Sequence, residues 1–245
     1  ERVLLIDPKQ DNFLREYATG DIGALREAAH QLVEKNIVDR VLISPLEGHE
    51  PVIKDLNHRW FSLKSDQTHS SEGVPIFPQL WGFEQIQTRF LLQMDADVMI
   101  GRADDDDLIS TMLRALSEER VFGVGFNIPQ QLDAVFTPYD GKFVPEVRCG
   151  MFDLERMFDQ RPFPNAVIGD SLNTSWYRSI EQFQEANDWR CLRGGDPRSW
   201  YIHPPNFLKQ DLEYYDKALD LVEQNTIPVE QRGHWDLIEG RHHWK

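Results

Sequence analysis

Cysteine is nearly absent: Cys149 and Cys191 are the only two in 245 residues, too few for a disulfide scaffold, and they suit a reducing, cytoplasmic setting. No apolar run approaches the roughly 20 residues of a membrane-spanning helix, so no transmembrane segment is expected. There is no internal repeat, no low-complexity tract and no linker-like stretch, which predicts one domain over residues 1–245. Basic residues are also scarce, with 26 Lys and Arg against 41 Asp and Glu and a formal net charge of −15. Such a surface repels phosphate backbones and anionic headgroups, so nucleic acid is excluded as a default partner and any polyanionic ligand needs a local exception. At 40% hydrophobic and 27% charged, the composition is that of a chain able to form its own core.

The order of elements begins with an apolar run at Arg2 to Asp7 that is too short for a helix and ends at Pro8. From Asp21, a suitable N-cap, Ile22, Leu25, Ala28, Ala29, Leu32 and Val33 recur at helical spacing, and Val38 to Ser44 then reads as a second strand. Strand, helix, strand predicts a right-handed βαβ unit, which makes the residues just after Asp7 and Ser44 site candidates. A third strand is expected at Arg59 to Lys64, then a polar stretch outside the core at Ser65 to Gly73, and a helix opened by Pro75 and Pro78 and running through Gln79 to Thr88. Phe90 to Met94 reads as a buried strand that Met99 to Gly101 continues. Further strands are expected at Val121 to Phe126, Lys142 to Arg148 and Trp200 to His203. Helices are expected over Leu108 to Leu116, around Trp176, Ile180 and Phe183, and from Lys209 to Gln224.

The most informative stretch follows Met94. Asp95 and Asp97 flank Ala96 at a strand end, and a turn at Ala96 brings both carboxylates toward one hard cation of the Mg²⁺ or Mn²⁺ kind. Mg²⁺ usually takes one or two protein carboxylates plus substrate phosphates, which suits a metal that bridges a diphosphate. The structural alternative is that Asp97 caps a turn and Asp95 is a solvated strand end. Asp104 to Asp107 read as N-cap and dipole-complementing residues of the helix they precede. An EF-hand loop is excluded, because counting from Asp95 puts Met99 and Ile100 where an acid and a glycine are required.

A βαβ-rich start, a polar loop with Gly73, a helix and an apolar strand ending in Asp95-Ala96-Asp97 resemble the nucleotide-sugar half of GT-A-fold glycosyltransferases, up to about residue 150. The resemblance implies an α/β, GT-A-like single domain with a Rossmann-like mixed sheet flanked by helices. Its donor half would span about residues 1–100, and its acceptor half, with a late metal or diphosphate loop, about residues 101–245. It implies that Asp97, and Asp95 directly or through water, hold a divalent Mn²⁺ or Mg²⁺ cofactor on the donor diphosphate. It points to Asp7, Asp66 and Gln79 for the nucleotide and to His203 as a further metal ligand. Arg193, Arg198 and Lys209, with the N–H groups of Gly194 and Gly195, form a candidate diphosphate cradle. The implied activity is a hexosyltransferase-like transfer from a nucleoside-diphosphate sugar to an acceptor hydroxyl on a glycan or small molecule.

The general base is less defined. The family often places an acid where this chain has Asn173; Asp170 is an alternative, as are Asp153 and Glu155. Trp60, Trp81 and Trp176 are candidates to stack on sugar rings or to fill the core. A haloacid-dehalogenase-like phosphatase also places Asp-x-Asp after a buried strand, with the first Asp as nucleophile, but near the chain start rather than after 94 residues. A non-catalytic, metal-dependent sugar-binding module is the other alternative. Sugar nucleotidyltransferases need glycines just after the first strand, and Asp7 to Asp11 has none.

Overall fold

The opening apolar run forms β1 (Val3–Ile6), which pairs in parallel with β2 (Arg40–Ile43) from Val3 opposite Arg40 to Ile6 opposite Ile43. Between them runs α1 (Ile22–Glu34), capped by Asp21, whose carboxylate accepts from the N–H groups of Gly23 at 2.6 Å and Ala24 at 3.2 Å. The expected βαβ unit is present. The computed structural model describes residues 1–9, 20–45, 48–126, 143–208, 210–232 and 237–239, which fall into two compact units: Glu1–Gln87 with Gln160–Ser179, and Thr88–Asp159 with Ile180–Lys245. Parallel and antiparallel ladders both occur, so the fold is mixed α/β. Among the described residues no helix is long and apolar enough to cross a membrane.

In the first unit, the strand expected at Arg59 to Lys64 is instead the end of a helix, α2 (Glu50–Phe61), with Pro51 in its first turn. Ile53, Leu56, Asn57, Trp60 and Phe61 are buried, which is helical spacing with a polar residue in the middle of the stripe. Asn57 obscures the pattern because its amide belongs inside: it donates to the carbonyls of Ser65 at 2.8 Å and Gln67 at 2.9 Å. The same bonds draw the following polar stretch inward. Ser65, His69 and Ser70 are buried, contrary to expectation, because their polar groups find local partners. α3 (Phe77–Glu84) follows with Pro78 in its first turn. A short hairpin, β7 (Val167–Ile168) and β8 (Ser171–Leu172), turns at Gly169-Asp170, where φ of +61° at Gly169 fits a two-residue type II′ turn. Trp60 and Trp176 are fully buried among Phe83 and Phe163, so they fill this unit's core.

The second unit holds a four-stranded sheet ordered β3-β6-β5-β9 and a three-stranded sheet ordered β11-β10-β4. β3 (Phe90–Met94) and β6 (Cys149–Asp153) are antiparallel, as are β6 and β5 (Val121–Phe126), whereas β9 (Arg190–Gly194) runs parallel to β5. β3 is an edge strand rather than a buried one: Phe90, Leu92 and Met94 are 40%, 37% and 49% exposed. β4 (Met99–Gly101) does not continue it but pairs antiparallel with β10 (Trp200–Ile202), whose other neighbour is β11 (Leu237–Glu239).

α4 (Leu108–Leu116), capped by Asp107 on the N–H of Ser110, buries Leu108, Met112, Ala115 and Leu116 in a core with Val121, Val124 and Met151. Each large apolar side chain so buried contributes about 1.5–3 kcal/mol. α7 (Leu212–Glu223), capped by Asp211, buries Tyr214 and Ala218 with Met99, Trp200 and Ile202. α5 (Leu154–Asp159) leaves β6, and α6 (Trp176–Ala186) contributes residues to both units. The described part of the strand expected at Lys142 to Arg148, residues 143–148, is irregular: Pro145 offers no N–H, and pairing starts only at Cys149.

The Trp200 ring packs against Gly101, where an added Cβ would overlap the indole. Gly101→Ala is therefore expected to destabilise the fold by about 1–3 kcal/mol, read as a lower urea midpoint; an unchanged midpoint would contradict this packing.

Candidate metal centre

The chain reverses between β3 and β4 in one tight turn. The N–H of Asp95 donates to the carbonyl of Arg148 at 2.8 Å, and the carbonyl of Asp95 accepts from the N–H of Val98 at 3.1 Å, with Ala96 and Asp97 at the corner. This is the turn that two carboxylates at i and i+2 need in order to converge. Met99 pairs with Ile202 at the end of the antiparallel ladder, so Asp97 and Val98, just before β4, come close to His203, just after β10. His203 is buried, and its Nε2 lies 3.4 Å from Oδ2 of Asp97. Asp95, Asp97 and His203 each offer one ligand atom, and all three atoms lie within 4.8 Å of one another.

Two carboxylates at such a separation repel by roughly 3 kcal/mol at an effective dielectric constant near 20, which a cation between them would remove. Two carboxylate oxygens and one imidazole nitrogen form a donor set for a divalent ion and leave coordination positions for an incoming ligand. The site residues also shape their surroundings. Burial, reinforced by the charge of Asp95, pushes the Cys149 thiol up to about 12. Burial raises the phenol of Tyr201, with Asp95 adding to the shift and Arg193 and Arg148 opposing it. Burial, then the charge of Asp97, raises Tyr215. The charge of Asp95 is thus felt at Cys149 and Tyr201, and that of Asp97 at Tyr215 of α7, a residue with no signal in the sequence other than its helical position.

The remaining candidates do not join this group. In the first unit, Asp7 ends β1 and is held by Nε2 of His69 at 3.0 Å and by the N–H of Lys9 at 3.1 Å. Nδ1 of His69 is in turn 2.8 Å from Oγ1 of Thr68, a polar relay hidden from sequence reading because its histidine lies in a stretch expected to be outside the core. Asp66 lies in the loop after α2, not after a strand, and pairs with Lys54 at 3.2 Å. Gln79 accepts from Nε1 of Trp176 at 2.5 Å. Asp170 is exposed at the tip of the β7–β8 hairpin.

In the second unit, Asp153 is fully buried. Arg89 grips it at 2.8 Å, Arg156 approaches to 3.3 Å, and Asp153 Oδ1 accepts from the backbone N–H of Arg156 at the start of α5. That is the work of a structural anchor, and it leaves the carboxylate no access to an acceptor hydroxyl. Glu155 is exposed and lies 3.3 Å from Arg89. Arg198 is exposed and held by Asp196 at 2.6 Å and Asp105 at 3.1 Å, so two carboxylates already offset its charge. Arg193 is buried inside β9 rather than facing a ligand. Lys209 lies outside the described residues.

Raised pKa values keep both thiols protonated at ordinary pH, and the thiolate is the reactive form. Neither Cys149 nor Cys191 should react with iodoacetamide in the native protein at about pH 8.5, and both should react in denaturant, as counted by intact mass. Because the folded-state values are raised, burial of these thiols costs nothing below the unfolded value and reduces stability as pH climbs above it. Rapid native labelling of Cys149 would show that the surface beside Asp95 is open.

No family model, curated protein or solved structure matches the chain, so the fold and this Asp-Asp-His group carry the functional argument.

Proposed function

We propose that the protein is a metal-dependent glycosyltransferase of GT-A type, moving a sugar from a nucleoside-diphosphate sugar to an acceptor hydroxyl. The observation that carries the reading is the convergence of Asp95, Asp97 and His203 within 4.8 Å, from a strand-end turn and from a strand about a hundred residues later. The parallel βαβ start and the mixed sheet support it.

Under this reading a bound Mn²⁺ or Mg²⁺ supplies Lewis acidity, neutralising charge on the departing nucleoside diphosphate. Asp97 and His203 would hold the ion from just beyond the end of the β4–β10 ladder, which brings them to 3.4 Å from each other. Asp95 adds a second carboxylate from a backbone tied at both its N–H and its carbonyl. With two aspartates and a neutral imidazole, the protein contributes −2, which a divalent ion balances before the diphosphate arrives. Arg198 is a poorer candidate for the diphosphate, because two carboxylates already engage it.

No general base is assigned, since Asp153 is committed to Arg89 and Arg156. The phosphatase reading is weakened by β3, which is a half-exposed edge strand and not the buried strand a nucleophilic aspartate would end.

Calorimetry with UDP, GDP and dTDP, with and without Mn²⁺, should show metal-dependent binding of at least one of the three. Absence of binding to all three would sink the glycosyltransferase reading. Asp97→Asn should abolish the metal dependence while leaving Tm nearly unchanged, because Asp97 is partly exposed and caps no helix. A large drop in Tm would instead make Asp97 a structural turn residue.

A further inference from the structure

Glu146 is a buried carboxylate that no step above uses. It belongs to the irregular segment Val144 to Arg148, which lies over a bare patch of the four-stranded sheet. Gly125 of β5 and Gly150 of β6 are opposite one another there, and a Cβ on Gly125 would overlap the Glu146 side chain, while one on Gly150 would overlap its backbone carbonyl. From this floor Glu146 forms an ion pair with Arg193 of β9, both buried. Arg193 also donates to the carbonyls of Phe126 at 3.1 Å and Val144 at 2.8 Å.

The pair is tied to the metal centre by a short chain of bonds. Oε1 of Glu146 accepts from the N–H of Arg148 at 3.1 Å, and the carbonyl of Arg148 accepts from the N–H of Asp95 at 2.8 Å. The side-chain amide of Gln93, on β3 two residues before Asp95, holds the carbonyl of Val147 in the same segment. Stability alone does not account for a buried ion pair in this place. Well-packed apolar residues of similar volume are often as good or better, because desolvating two charges cancels much of their attraction. What an apolar pair lacks is an oxygen to orient the N–H of Arg148. Ligands that hold a metal depend on outer hydrogen-bonded partners for their orientation, and losing such a partner typically weakens affinity 10–100-fold.

We propose that Glu146, locked by Arg193, is the positioning residue of the metal centre: it fixes the Val144 to Arg148 segment so that the carbonyl of Arg148 holds Asp95 toward Asp97 and His203. This rests on the reading of those three residues as a divalent-cation site. Glu146 never touches the cation; its effect passes through the backbone of Arg148.

The test is a titration with Mn²⁺ alone, following the electron paramagnetic resonance signal of the free ion, on the full chain well below each variant's Tm. Wild type should bind, Glu146→Ala should bind about tenfold or more weakly, and Glu146→Gln should stay within about threefold of wild type, because its amide oxygen still accepts from Arg148. Unchanged affinity in a folded Glu146→Ala overturns the positioning role and leaves the metal reading standing. Failure of wild type to bind Mn²⁺ removes both. Equal weakening and equal loss of Tm in the Ala and Gln variants also overturns the proposal, since that is the pattern of general destabilisation. If Glu146→Ala does not fold, Gln93→Leu decides: it releases Val147, should weaken binding several-fold, and overturns the proposal if affinity is unchanged.

Discussion

The hydrogen bond from the N–H of Val98 to the carbonyl of Asp95 switches the chain from one sheet to another. Alone such a bond is worth about 1 kcal/mol. Here it stands between two ladders that agree with it, the five-residue pairing of β3 with β6 before the turn and the three-residue pairing of β4 with β10 after it. If the chain ran straight on from Met94, Met99 to Gly101 would extend β3, and β10 would lose the neighbour that brings His203 beside Asp97. The convergence of Asp95, Asp97 and His203 thus follows from sheet topology.

Two buried carboxylates of the second unit meet guanidinium groups: Asp153 is shared by Arg89 and Arg156, and Glu146 meets Arg193. In the first unit the half-buried Glu84 takes Arg161 at 2.8 Å, Nε1 of Trp60 at 2.9 Å, and Arg59. Removing one partner from such a set leaves a buried charge uncompensated and costs several kcal/mol, roughly 3–5. The same sorting applies to the run of six aspartates from Asp95 to Asp107. Asp107 caps α4, Asp106 accepts from the hydroxyl of Ser199, and Asp105 meets Arg198. Asp95 and Asp97 separate from that group by converging on His203, which divides an apparently uniform acidic stretch into one helix cap, two tertiary tethers and the candidate site.

Much of this was legible in the sequence where one physical rule acted alone. Asp21 is an N-cap in the sequence and in the fold, Asp107 alone takes the cap of α4 among the four acids expected to share it, and the βαβ start follows directly from two short apolar runs around an amphipathic stretch. Asp95 and Asp97 stood out by residue type and spacing at a strand end and His203 through the resemblance, and the fold brings the three together. The failures came where a polar residue did the work of the core. Asn57 interrupts the buried stripe of α2 to hold the next loop, so a helix read as a strand. Phe143 to Arg148 looked like a strand because it is rich in apolar residues, yet Pro145 and the inward Glu146 take it out of the ladder. His69 owes its place to a partner distant in sequence, Asp7, and one sequence read alone gives no sign of such a pairing.

The outer edge of β3 joins two properties of the chain that were first met separately. Among the described residues β3 pairs only with β6, and it presents Phe90, Leu92 and Met94 to solvent. A strand with unpaired backbone groups and apolar side chains is a template on which other chains can assemble. Little in β3 itself prevents this, since its five residues carry no charge and no proline. What opposes it is the net charge of −15, which keeps copies apart over roughly a Debye length. Beside the Arg89 guanidinium that packs over the Phe90 ring at 5.1 Å, long-range repulsion therefore works against assembly on this edge, an effect of composition set against topology.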